Sequence, residues 1–279
     1  MKQLHEILTK SSLPILLHSI LELTIFFTNY KPNTYLVGWD NVMPEFNLTL
    51  NFQRAIVSLW QDYRGLGLVD GLAHSANLLH TLYIGFLSLF LPESLLRYTY
   101  IHLTHLLGGI TFYFLIKYLL QKSEARNPKH ETIPNDQNHK TQSTSHLVHS
   151  DLGILSNFEL RYSNLVNSAA LLGALFYMFN IGIIQMYFAP LEVFATHFVA
   201  LPLLALTITR ALREPTKKHF LLLFLAGFLV SPQGFVPTVF IAFLLLFFFL
   251  LLFHILQTRQ WKVALLTGVT VFLANAFWL

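Results

Sequence analysis

The chain has 279 residues, of which 54% are hydrophobic and only 11% are Asp, Glu, Lys or Arg, against about 25% charged in an ordinary soluble domain. Its 26 phenylalanines exclude a soluble globule of this size, so the solvent must be lipid. The absence of cysteine excludes disulfides and thiolate metal sites, and the net charge of +4 fits basic membrane-flanking turns rather than a nucleic-acid partner.

The expected fold is all-α, a polytopic membrane protein of about 7–8 transmembrane helices with interfacial helices in its first external loop. The first span is residues 12–30. It has no small-residue cleavage pattern and reads as retained. His18 and Glu22, four apart, share one helix face and turn toward protein. The simplest expectation is that they satisfy each other.

Residues 31–72 form the first external loop of an N-terminal membrane segment, 1–120. VGWDNVMPEF places Asp40 and Glu45 beside Trp39, Asn41 and Pro44. Carboxylates at a membrane surface can act as general bases or bind a divalent cation; WDN before a proline is also good turn chemistry. FQRAIVSLWQDY is apolar at Phe52, Ile56, Leu59, Trp60 and Tyr63, the spacing of an interfacial amphipathic helix. The three glycines of GLGLVDG end it. Asn47-Leu48-Thr49 matches a glycosylation acceptor, a pattern common by chance.

Further apolar stretches are 72–91, 99–120, 166–188, 194–212, 219–231, 236–256 and 262–279. Residues 121–163 are polar and read as a flexible cytoplasmic loop. Residues 164–279 make a second helical membrane segment that ends inside an apolar run, the reading expected of part of a longer protein. The basic turns REPTKKH and QTRQWK belong on the cytoplasmic side, as does the N-terminus. The parity of spans then requires either that 72–91 enter the membrane only partly or that 121–163 be external. The polar face of His74, Ser75, Asn77 and His80 favours partial entry.

Arg54, Arg64 and Arg97 are candidate phosphate ligands, since a guanidinium holds phosphate through two parallel bonds. For each one alone, snorkelling to headgroups is the competing reading. His102 and His105 share a helix face but lack a third metal ligand in register, so hydrogen bonding between packed helices is expected. No Walker or Rossmann fingerprint is present.

The stretch from Gly38 to His74, GWDNVMPEFN followed by Arg54, Trp60, Tyr63, GLG and GLAH, resembles the first-loop region of bacterial arabinofuranosyltransferase-like membrane proteins. YfhO-like membrane proteins share a similar loop. The order of features is similar to the N-terminal half of a GT-C type glycosyltransferase. The resemblance implies an enzyme of a bacterial cytoplasmic membrane. It would move a sugar from a polyprenyl-phosphate donor to a glycan or glycolipid acceptor on the outer face. Asp40 would be the catalytic carboxylate of the first loop, activating the acceptor or helping to hold a metal, assisted by Glu45. Arg54, Arg64 and Arg97 would hold the donor phosphate, and Trp39, Asn41, Trp60 and His74 would contact substrate. A divalent cation is compatible with this chemistry. This sequence departs from the family pattern in having no convincing second acidic residue in its later external loops, where Glu192 is the only option. Two other classes compete: a transporter or flippase of a lipid-linked glycan, which needs polar groups in mid-span, and a non-catalytic assembly protein or inactive fragment.

Overall fold

The computed structural model describes residues 2–38, 43–57, 60–61, 68–69, 73–124, 164–190 and 192–279. The fold is all-α apart from a two-residue antiparallel ladder. Helix α1 covers Lys2–Asn29, α2 Leu48–Val57, α3 Leu78–Leu87 and α4 Glu93–Glu124. Helices α5 (Asn164–Phe179) and α6 (Ile181–Phe188) follow. Then come α7 (Glu192–Arg213), α8 (Lys217–Leu229), α9 (Pro237–Thr258) and α10 (Trp261–Asn275).

Among the described residues, four helical segments are long and apolar enough to cross a bilayer: Ser12–Asn29, Glu93–Lys122, Glu192–Arg213 and Pro237–Thr258. The α5–α6 pair makes a fifth if its 45° bend lies within one crossing. The bend falls at Asn180, whose side-chain oxygen accepts from the Ile183 amide and caps α6. The described part of the 72–91 stretch holds a 3-10 turn at His74–Asn77 and the ten-residue α3. At about 15 Å, α3 is half the thickness of the hydrocarbon core. Helices α8 and α10, with 13 and 15 residues, also fall short of the roughly 20 residues of a full crossing.

One expectation for the first loop changes. The amphipathic helix stops at Val57, and Trp60–Gln61 instead pairs as β1 with Leu68–Val69 as β2. An i, i+3, i+4 pattern carried the helix on to Tyr63, but a pairing partner nine residues downstream took the backbone of Trp60. The apolar stretch expected over 99–120 also begins earlier, within LPESLLRY at 91–98. Pro92 precedes the first turn of α4, so the helix starts at Glu93 and includes Arg97, as a proline before a helix permits.

Helices α4 and α7 run parallel. Their first turns meet through Arg97 and Glu192, 3.7 Å apart. At the other end Lys122 pairs at 2.7 Å with Glu214, the residue after α7. Arg210 and Arg213 lie over the Tyr118 ring there. Lys217 and Lys218 open α8 at this same end. Arg259 closes α9 in the left-handed region at φ 56°. The basic turns therefore share one end of the bundle.

The opposite end holds the first-loop turn Pro44–Phe46, the His74–Asn77 turn and the Ser231–Phe235 turn. The Ala73 amide donates to the Phe235 carbonyl, and Ser231 Oγ to that of Ala76. Gln233, almost wholly buried, faces His197 Nδ1 through Oε1 at 3.0 Å. It ties the turn to α7 and serves as a connection. The main apolar core joins α7, α8, α9 and α10 around Leu204, Ile208, Leu223 and Phe243.

Candidate functional site

Where α4 and α7 begin, two carboxylates converge on one guanidinium. Arg97 Nε and Nη2 donate to the two oxygens of Glu45 at 2.7 and 3.2 Å. Both side chains are 3% exposed. Glu192, in the first turn of α7, lies 3.7 Å from the same guanidinium and 2.7 Å from His80 Nε2 of α3. Below them the Tyr100 hydroxyl meets that of Thr196, and the Tyr100 ring packs on His80. The cluster thus draws on the first loop and on α3, α4 and α7. A buried charge is tolerated only with partners, and the fork geometry of Arg97 supplies them for Glu45.

The predicted residues divide as follows. Asp40, Trp39, Asn41 and Arg64 lie outside the described residues. Glu45 and Arg97 come together, 52 positions apart in sequence. Arg97, one of the candidate phosphate ligands, directs its fork to Glu45. Arg54 lies in the last turn of α2, partly buried. Trp60 is placed by its backbone in β1. His74 stands edge-on to Phe235 at 5.2 Å, on the turn rather than in the Arg97 cluster. His80 was not among the expected site residues, and Glu192 entered only as the one later acidic option. A sequence signal for Glu192 existed, an acid in a first helical turn after Pro190. None existed for the pairing with His80.

A second cluster lies in mid-span. His18 and Glu22 do not pair: His18 Nδ1 turns back to the Pro14 carbonyl at 2.7 Å. Glu22 reaches across to α4, with Oε1 2.5 Å from His102 Nδ1 and Oε2 2.6 Å from His105 Nδ1. His105 Nε2 donates to the Met178 carbonyl at 3.2 Å. The expected role of His102 and His105, hydrogen bonding between packed helices, is met. The helices approach closely because Gly108 and Gly109 lack side chains, leaving room for the Phe198 ring and for Met178.

No protein-family model, curated protein or solved structure matches the chain. Geometry alone therefore carries the functional reading. Among the described residues no group of three or more His, Asp or Glu could hold a metal ion. In the Glu22 cluster the nitrogens and oxygens touch one another at hydrogen-bond distance, leaving no gap for an ion needing about 2.0–2.2 Å to each ligand. In the outer cluster Arg97 already neutralises Glu45. The residues described do not fit a divalent cation, and no step below uses one.

Proposed function

We propose that the protein is a membrane glycosyltransferase, or the N-terminal module of one, that works where α4 and α7 begin. It takes a sugar from a polyprenyl-phosphate donor and passes it to a glycan or glycolipid acceptor. In this reading α1, α4, the α5–α6 pair, α7 and α9 cross a bacterial cytoplasmic membrane, the shorter α8 and α10 cross it together with the turns that flank them, α3 enters partway, and the basic turns face the cytoplasm. That arrangement is GT-C-like.

The observation that supports this reading is the meeting of Glu45 and Glu192 on Arg97. It brings a first-loop acid and a later acid to one wall at the edge of the spans. A lipid-linked sugar phosphate is met at that edge, and holding donor and acceptor in line there lowers the barrier. Asp40, five residues before Glu45, is the general base in this proposal. Glu45, gripped by two bonds from Arg97, positions the loop. An arriving phosphate exchanges for the longer contact of Arg97, the one to Glu192 at 3.7 Å. Arg54 and Arg64 remain its other proposed phosphate ligands, and Trp39, Asn41, Trp60 and His74 its proposed substrate contacts.

Membranes carrying the intact protein, Asp40→Asn or Glu192→Gln test this with a panel of radiolabelled polyprenyl-phosphate sugars. Transfer into extracted glycan, lost in Asp40→Asn at equal expression, supports the enzyme. Transfer unchanged by both substitutions moves the active site elsewhere. Absence of product with every donor overturns the proposal. A transporter draws instead on Glu22 with its two histidines in mid-span, and it leaves no glycan product.

A further inference from the structure

A cavity of about 330 Å³ lies between α1, α4, α5 and α6, away from Arg97 and its partners. Glu22, His102 and His105 make its polar wall; Tyr98, Phe179 and Tyr187 bring their rings to it. Ile184 and Phe188 also line it and are 50% and 89% exposed, so its mouth faces lipid. The volume suits a small amphipathic ligand. No lysine or arginine lines it, and Glu22 is its one permanently acidic group. An ionisable group at this depth marks a functional site by default.

The hydrogen bonds define where protons sit. The Met178 carbonyl can only accept, so His105 Nε2 carries hydrogen. His105 Nδ1 faces a carboxylate oxygen, so one proton lies between it and Glu22. His102 Nδ1 donates to the other oxygen. Counted with that shared proton, the three groups together carry no net charge.

We propose that this cavity binds a lipophilic organic cation, which replaces the second proton of His105. The cation enters beside Glu22 with the aromatic rings around it. His105 releases its Nε2 proton, giving up the longer bond to Met178 and keeping Nδ1–H on Glu22. Charge balances: one cation in, one proton out. An anion finds no fixed positive charge here and meets Glu22. The titratable groups facing the cluster are His18 on α1, Tyr98 and His102 on α4, and Tyr187 on α6. Helix α5 presents Met178 and Phe179, which do not titrate. Arg97, also on α4, is directed to Glu45.

The test uses the full chain in lipid nanodiscs with tetraphenylphosphonium as the probe. Exchange of one cation for one proton makes binding weaken as pH falls, by linkage. About one proton per bound probe is expected in weakly buffered solution. Glu22→Gln loses binding, Glu22→Asp keeps it, and His105→Gln binds without releasing a proton. Binding that Glu22→Gln leaves unchanged, binding without proton release, or no binding above empty nanodiscs overturns the proposal. So does tighter binding of dodecyl phosphate. If Glu22→Gln does not fold, proton release by the intact protein decides alone. The inference stands on the cavity and does not depend on glycosyl transfer.

Discussion

Arg97 grips Glu45 through two parallel hydrogen bonds, 2.7 and 3.2 Å long, between the fourth helix and a three-residue turn in the first loop. Both side chains are buried. Removing one member of such a pair leaves the other charged and unpaired, at a cost of about 3–5 kcal/mol. Arg97→Ala should therefore lower the melting temperature of the detergent-solubilised protein far more than Arg54→Ala. Arg97→Lys should recover only part of the loss, because an ammonium cannot make the two-bond fork. Equal melting temperatures for Arg97→Ala and the intact protein would remove the pair from any structural account.

The glycine pair of α4 offers a packing test. A methyl group on Gly109 would lie 2.2 Å from Met178 Sδ, and one on Gly108 would lie 2.2 Å from the Phe198 ring. Either alanine should cost about 1–3 kcal/mol, the range for overpacking. Gly268 in α10 has nothing within 4 Å of the same position. There Gly→Ala should gain about 0.5–1 kcal/mol through backbone entropy. Thermal unfolding of the three variants should give two losses and one gain.

The two ends of the bundle should lie on opposite sides of the membrane. The chain has no cysteine, so single introduced cysteines report cleanly. Lys31→Cys follows α1 directly, and Lys217→Cys opens α8 at the basic end. A membrane-impermeant maleimide added to intact cells should label the first and spare the second until the cells are broken. Labelling of both from one side would dismiss the proposed crossing count.

At the basic end, the Lys122 ammonium holds the Glu214 carboxyl below the usual carboxylate range. A depressed carboxylate pKa stabilises the folded state above the unfolded value. That contribution is lost as pH falls through the folded value. Both side chains are more than 40% exposed, so the pair is worth about 0.2–1 kcal/mol. The melting temperatures of the intact protein and Glu214→Gln should differ slightly at pH 7 and converge in acid below pH ~4. A difference that persists there would assign the effect to packing.

The sequence alone determined that this chain lives in lipid, that it is helical, and which turns are basic. Those conclusions rest on composition and on the running hydropathy, which need no knowledge of what touches what. It also marked Glu45, Arg97, Glu22, His102 and His105 as charges or histidines in improbable places. Only the tertiary structure decided their partners. Arg97 turned out to hold Glu45, and Glu22 turned away from His18 to two histidines 80 and 83 residues later. Local spacing misled at Trp60, where a strand partner outweighed a helical pattern. The bent α5–α6 pair and the short α3 likewise depended on Asn180 capping a new helix and on turns docked across the bundle. A buried charge must be neutralised by whatever group the fold brings within about 3 Å, and a one-dimensional pattern does not contain that distance.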